Sequence, residues 1–239
     1  WLLLLFVNYE SFQQTIVDTL ASHPGKSVHF FSGYDCDSLA LDPVSGFVRE
    51  FLPFFADHPN AVLELRTKST QTRTLLEMPP IDNCIIAFSF TPESMSLALE
   101  HKVPPIKRRI NAIQQLQDKG WKIGLRFDPL LYYEEYQSDY KELFSSIFRE
   151  LNVDLIDSVS LGSFRLPKSF FRKMADLYPE ELLFASPLEV TDGMVSYKAN
   201  LKFQLLQFCQ NEILSYIPEQ KFHPCEELGG ISEQHIPNR

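Results

Sequence analysis

The four cysteines of this chain, Cys36, Cys84, Cys209 and Cys225, are scattered, and no CxxC or other close ligand spacing occurs. A zinc or iron–sulfur site needs thiolates grouped on a short segment, so neither is written in these residues. Positive charge is also scarce: 22 Lys and Arg stand against 31 Asp and Glu, a net charge of −9. That balance argues against broad electrostatic binding of nucleic acid or of an anionic membrane, while leaving room for a local basic cleft. No apolar run reaches bilayer length. Trp1–Val7 (WLLLLFV) is far too short to span and lacks the basic flank of a signal peptide. With no secretory signal, the expectation is reduced thiols in a cytoplasmic protein, and a start at Trp rather than Met suggests a cut or incomplete N-terminus. Familiar catalytic signatures are missing too: there is no GxSxG elbow, no P-loop and no GxGxxG. The six His are dispersed, none paired at metal spacing, and His29 sits inside a strand pattern as a core or barrel-facing residue.

What is present is an ordinary globular composition, 44% apolar and 22% charged, with 20 Phe to fill a core or line a pocket. A chain of 239 residues fits one large α/β domain or two small ones. Apolar runs of strand type fall at 27–31, 61–67, 84–90, 121–127 and 158–164. Between them lie helical patterns: one through Leu20, one starting at Asp42-Pro43, one over roughly Thr70–Glu77, then Pro105–Lys119, Tyr136–Leu151 and Lys168–Leu177. The alternation, at intervals of about 30 residues, is the rhythm of parallel βαβ units, whose crossovers are right-handed and whose sites lie at the strands' C-terminal ends. After Pro179 the texture changes; Leu201–Ile217 reads as one more helix, and the last dozen residues read as loosely ordered. The expected domain division is 1–178 for the α/β barrel and 179–239 for a C-terminal extension packing on it.

The stretch Lys26–Asp42 (KSVHFFSGYDCDSLALD) shows the recurring unit: a strand, a small-residue turn at Ser32-Gly33, then acids. Alone it fits either a β–α loop with a helix-capping acid or the edge of a binding site. Polar residues follow every strand, however: Ser32, Gly33, Tyr34 and Asp35; Arg66, Lys68 and Ser69; Ser89 and Thr91; Arg126 and Asp128; Ser163 and Arg165. Together they suggest a small-molecule site for carboxylate and hydroxyl groups on one rim.

The order of motifs resembles the spore photoproduct lyase family of radical S-adenosylmethionine proteins, over roughly Leu5 to Cys225. LFVNYESF is similar to the stretch just after that family's cluster cysteines, and SGYDCDSLALD to its second-strand motif, with Asp37 and Asp42 at the acidic positions. LRTKS matches the third-strand lysine at Lys68, AFSF the fourth-strand serine at Ser89, and GLRFDPLLYYEEYQSDYKELF and SLGSFRLPKSFFRKMADLYP continue the register through Arg165. The resemblance implies an α/β fold, a partial TIM-like (β/α)6 radical-SAM barrel missing its first strand, with a C-terminal helical extension. It implies a [4Fe-4S] cluster whose CxxxCxxC ligands are expected upstream, S-adenosylmethionine on its open iron, and a 5′-deoxyadenosyl radical that acts on a thymine-dimer lesion in DNA. Carried over, Ser32 and Gly33 receive the methionine amino group, Lys68 pairs the carboxylate, Ser89 bonds the ribose or carboxylate, and Asp128 completes the cofactor-binding set. The family's hydrogen-donor cysteine falls at Tyr34, with Cys36 two residues on; Cys36 is either a donor on an altered loop or a small buried thiol. DNA contacts are expected from Arg126 and Arg165 at the rim and Lys198 and Lys202 beyond it. Tyr132, Tyr133 and Tyr197 either stack an extruded base or, for Tyr132 and Tyr133, pack a loop. No membrane partner is expected. Without the cluster cysteines, the lyase so implied is expected to be inactive as this fragment. Two other readings stand beside it: a non-catalytic barrel relative serving as a binding or interaction module, and an unrelated TIM-barrel enzyme using Asp35, Asp37 or Asp128 for acid–base chemistry.

Overall fold

The computed structural model describes residues 8–33 and 36–225. The expected features at 1–7, Tyr34, Asp35 and the final dozen residues lie outside the described residues. Helix α1 (Tyr9–Ser22) leads into β1 (Val28–Ser32), followed by α2 (Asp42–Ser45), α3 (Phe47–Ala56), β2 (Ala61–Thr67), α4 (Arg73–Glu77) and β3 (Cys84–Ser89). Then come α5 (Glu93–Leu99), α6 (Ile106–Lys119), β4 (Lys122–Leu130), α7 (Tyr136–Glu150) and β5 (Ile156–Ser163). These five strands form one parallel sheet in the order β1-β2-β3-β4-β5. It is the parallel α/β sheet that the alternating pattern predicts, curled into the partly closed barrel that the family resemblance implies. Two local expectations need correcting. The helix from Asp42 breaks at Gly46, which takes a left-handed conformation (φ 66°), and the helix after β2 begins only at Arg73.

Alternation along the strands separates two faces. On the outer face Leu63, Leu65, Ile86, Phe88, Ile123, Leu125, Phe127, Val159 and Leu161 are buried in the main core. The helices meet them with the stripes read from the sequence: Val48, Phe51, Leu52 and Phe55 on α3; Ile110, Ile113 and Leu116 on α6; Tyr140, Leu143, Phe144 and Ile147 on α7. Clips fix how each helix docks. Trp121 donates its indole N–H to the Leu75 carbonyl at 3.0 Å, and the Asn83 amide reaches the carbonyls of Phe55, His58 and Ala61. The inner, concave face carries Glu64, Arg66, Ser89, Arg126, Asp128, Ser158 and Ser160 on adjoining strands.

The remainder of the chain contains more than helix. A short strand β6 (Arg165–Pro167) precedes α8 (Lys168–Leu177), and β7 (Leu188–Thr191) and β8 (Met194–Tyr197) form a hairpin before α9 (Ala199–Leu214). The three strands make an antiparallel sheet ordered β6-β8-β7, so pairing runs across the expected boundary at 178/179. The turn is Asp192-Gly193, both at positive φ (50° and 79°), the two-residue geometry that an Asp-Gly pair favours. Helix α9 lies against α7, with Tyr136 edge-on to Phe208 and Phe148 stacked on Tyr216 beyond the helix end. Past α9, Phe222 bridges Val159 in parallel, and the His223 and Cys225 amides donate to the carbonyls of Val159 and Leu161. The outer edge of β5 is thereby covered, which protects it from pairing with another chain.

Candidate functional site

The rim is assembled by its acids. Asp37 accepts at one oxygen from the amides of Leu39 and Ala40 and from Thr67 Oγ1, at 2.8–2.9 Å, and at the other from the Lys68 amide at 2.7 Å. This carboxylate bolts the loop after β1 to the end of β2. It is a structural clamp, which corrects its reading as an acid–base group. Asp42 is buried and accepts from the Val48 amide (2.8 Å) and Thr74 Oγ1 (2.7 Å), so it anchors α3 and ties it to α4. Gly33 is needed where it stands: at φ 82° a Cβ would lie 2.5 Å from Ser38 Oγ and 2.6 Å from the Arg66 carbonyl. Ser38 Oγ is buried there without a partner.

Beside this loop, Lys68 leaves the end of β2 and its ammonium meets Glu100 at 3.0 Å. Glu100 also accepts from Thr91 Oγ1 (2.9 Å) and Ser96 Oγ (2.7 Å). Burial works against its charge, yet Lys68 and these hydroxyls hold its carboxyl below the usual carboxylate range. Ser89 ends the neighbouring β3, and its carbonyl accepts from Nη1 of the fully buried Arg109 at 2.7 Å. Ser32, Gly33, Lys68, Ser89 and Asp128 therefore follow one another along the C-terminal ends of β1 to β4.

Deeper on the concave face the charges are already matched. Arg126 crosses over β3 to bind both oxygens of Glu64, at 3.0 and 2.8 Å, and reaches the Ser158 hydroxyl and carbonyl. Arg66 adds a third contact to Glu64 at 2.7 Å. Despite burial, the two guanidinia hold the Glu64 carboxyl below its ordinary range. Small residues on this face make the bridge possible. A Cβ at Gly124 would fall 2.7 Å from Arg126 Nη2, and one at Gly162 would fall 2.8 Å from Arg165 Nη1. Arg126 is thus buried and fully engaged below the rim, a correction to its expected place as a DNA contact at the rim. Arg165 pairs with Asp128 at 3.4 Å and stays partly exposed.

The hairpin brings Arg165 opposite Ser196, two residues from the exposed Lys198. Tyr197 is fully buried; its hydroxyl accepts the Tyr132 amide at 2.9 Å, and burial, against that bond, pushes its pKa up to about 12. It is a core residue here and not a stacking platform, which corrects that expectation. Tyr132 packs on Tyr136 and Tyr197, and the Tyr133 hydroxyl donates to Asp139. Cys36 is exposed, so the buried-thiol alternative is wrong. Sequence reasoning missed Glu100 and the hairpin. For the hairpin, the Asp-Gly pair between Val190-Thr191 and Met194-Val195 is a signal; for Glu100, a lone acid after a short helix, there is none.

Among the described residues no group of His, Cys, Asp and Glu could hold a metal ion, and no helix is long and apolar enough to cross a membrane. Cys84 and Cys209 are buried apart from the exposed Cys36 and Cys225. A [4Fe-4S] cluster therefore does not fit the described residues of this chain. S-adenosylmethionine does fit the rim, which offers an ammonium, hydroxyls and the unpartnered Ser38 Oγ beside a glycine turn.

Fold and rim together define a parallel, partly closed α/β barrel with a polar site at its strands' C-terminal ends. A family model for spore photoproduct lyase matches residues 2–200, and the chain belongs to that family. The spore photoproduct lyase of Clostridium acetobutylicum is 22% identical over 147 residues, 62% of this chain and 44% of that protein. The match thus spans less than half of that curated relative. A solved mutant of spore photoproduct lyase with bound AdoMet and dinucleoside spore photoproduct superposes with a TM-score of 0.82 at 16% identity, covering 92% of this chain and 67% of that one. A spore photoproduct lyase complexed with dinucleoside spore photoproduct gives 0.81 at 18% identity, covering 92% and 68%. The likeness to spore photoproduct lyases holds in sequence family and in fold.

Proposed function

We propose that this chain is the S-adenosylmethionine-binding barrel of a radical DNA-repair lyase that acts on a thymine-dimer lesion. The observation that supports it most is the sequence of Gly33, Lys68 and Ser89 along three adjacent strand ends in a chain of this family. Lys68 pairs the methionine carboxylate, the Ser32-Gly33 turn receives the amino group, and Ser89 bonds the ribose or carboxylate. Asp128, held by Arg165, borders the same site. When bound in an enzyme carrying the cluster, S-adenosylmethionine supplies a 5′-deoxyadenosyl radical. The contribution of this chain is to orient the cofactor and to shield it in the curl of the sheet. Tyr34 and Cys36 are the proposed hydrogen-donating positions, and Cys36 is exposed.

The test is calorimetric titration of S-adenosylmethionine into wild type and Lys68→Ala. Loss of one charge-assisted contact of about 1.5–3 kcal/mol lowers affinity roughly tenfold or more. Equal affinities would remove Lys68 from the site and with it this reading.

A second reading, a barrel that binds ligand without lyase chemistry, is favoured by the dispersal of the four cysteines. Anaerobic reconstitution with iron and sulfide separates the two, since incorporation of a [4Fe-4S] chromophore supports the lyase.

A further inference from the structure

A lysine is a poor anchor unless something fixes it, because its flexible four-carbon stem samples many rotamers. Among the described residues the ammonium of Lys68 pairs with one acid, and that acid is held from three directions. Ser96, buried on α5, places its hydroxyl one helical turn before Glu100 and donates to it at 2.7 Å. Thr91, buried at the exit of β3, donates at 2.9 Å to the same oxygen that faces Lys68. The Glu100 amide closes α5 on the Ser96 carbonyl at 2.9 Å. From α6, the buried Arg109 adds positive charge toward Glu100 and pins the Ser89 carbonyl, its guanidinium lying 5.0 Å from the Phe90 ring centroid. The Glu100 side chain is only 12% exposed, whereas that of Lys68 is 31% exposed. The acid is thus the fixed member of the pair and the lysine the presented one. An ammonium has three N–H donors, and among the described residues Glu100 takes one, which leaves two for a ligand.

We propose that Glu100 is the positioning residue of the site: held by Thr91 and Ser96, it aims the Lys68 ammonium at the carboxylate of the ligand. This rests on the reading of Lys68 given above. A positioning role makes three demands. The effect of Glu100 depends on a ligand carboxylate, it acts through Lys68, and it survives only while the acid itself is held.

The probes are S-adenosylmethionine and its decarboxylated analogue, each titrated calorimetrically into the whole chain. Glu100→Gln is expected to weaken S-adenosylmethionine about three- to tenfold, the range of one hydrogen bond, and to leave the decarboxylated analogue unchanged. In a Lys68→Ala background the same substitution is expected to change affinity by less than about twofold, because coupled residues do not add. The pair Thr91→Val and Ser96→Ala keeps the acid but releases it, and is expected to give an intermediate loss; it carries the test if Glu100→Gln fails to fold. Tighter binding by Glu100→Gln would make Glu100 a competitor for Lys68 and overturn the proposal. So would an equal loss for both probes, or a loss that persists without Lys68. If Lys68→Ala weakens binding while Glu100→Gln does not, positioning alone falls. If wild type binds no S-adenosylmethionine, or Lys68→Ala changes nothing, the reading of the site falls first.

Discussion

The two faces of the five-stranded sheet are made by alternate residues of the same strands, yet they are held by different physics. On β2, Leu63 and Leu65 point outward into a core of Phe and Leu, while Glu64 between them points inward to two guanidinia. Outer contacts are non-directional, and their strength follows apolar area removed from water, about 25 cal/mol per Å². The inner face is conditional. Desolvating Glu64 and Arg126 costs several kcal/mol per ion, offset only because each finds a bidentate partner and further hydrogen bonds. A face of this kind contributes little net stability but fixes the orientation of polar groups where a ligand arrives.

Breaking the pair on one side gives the largest expected effect. Glu64→Ala leaves Arg126 charged and buried without a counter-ion, at a cost of about 3–5 kcal/mol, as large as Leu65→Ala on the outer face at roughly 2–5 kcal/mol. The faces separate on repair. Replacing Glu64 and Arg126 together by Leu should restore most of the stability, measured by urea unfolding, because the buried guanidinium is gone and Arg66, which also loses Glu64, is partly exposed to water. A double variant as unstable as Glu64→Ala would mean that the inner face is held by more than charge matching.

Acid sharpens the same contrast with no substitution. The carboxyls of Glu64 and Glu100 are both depressed in the folded chain. Their contribution is therefore present above the unfolded carboxylate value of about 4.3 and is lost as pH falls through the lower folded values. Melting temperature should fall along that acid limb, and Glu64→Gln should flatten the limb while lowering stability at neutral pH. An acid limb that is equally steep in Glu64→Gln would assign it to other carboxylates.

The smallest expected effect concerns nucleic acid, since the chain as a whole is acidic. If Arg165 and Lys198 bind phosphate, Arg165→Gln with Lys198→Glu should lower the slope of log affinity against log salt by about 1.8 for duplex DNA, roughly 0.9 per contact. Lys198→Glu alone, which touches no residue of the cofactor site, should lower the slope by about half as much and leave S-adenosylmethionine affinity unchanged. A salt slope that does not move would place the DNA path elsewhere on the barrel.

Much of this was legible in the residues because the signals are local. Strand runs bounded by turn residues, and helix stripes such as Ile106, Ile110, Ile113 and Leu116, depend on neighbours a few positions away. The rim was legible for the same reason, since Lys68 and Ser89 immediately follow or end predicted strands. Arg126 and Tyr197 were misplaced as exposed groups because burial of a polar side chain depends on a distant partner: Glu64 lies 62 residues from Arg126, and Tyr132 lies 65 from Tyr197. Sequence also could not show Asp37 as a clamp, because its partners Thr67 and Lys68 are 30 and 31 residues away.

The amino-acid order by itself determined the alternation of strands and helices, the parallel sheet that follows from it, and the ring of polar residues at the strand ends, since each arises from short-range periodicity and chain punctuation. Only the tertiary structure decided which of those polar residues remain available. Curling the sheet put Glu64 within reach of Arg126 across β3, folded Glu100 onto Lys68, and drew the segment after α9 along the edge of β5. Each is an electrostatic or hydrogen-bonded match between groups far apart in the chain, whose worth exists only once water has been removed from around them.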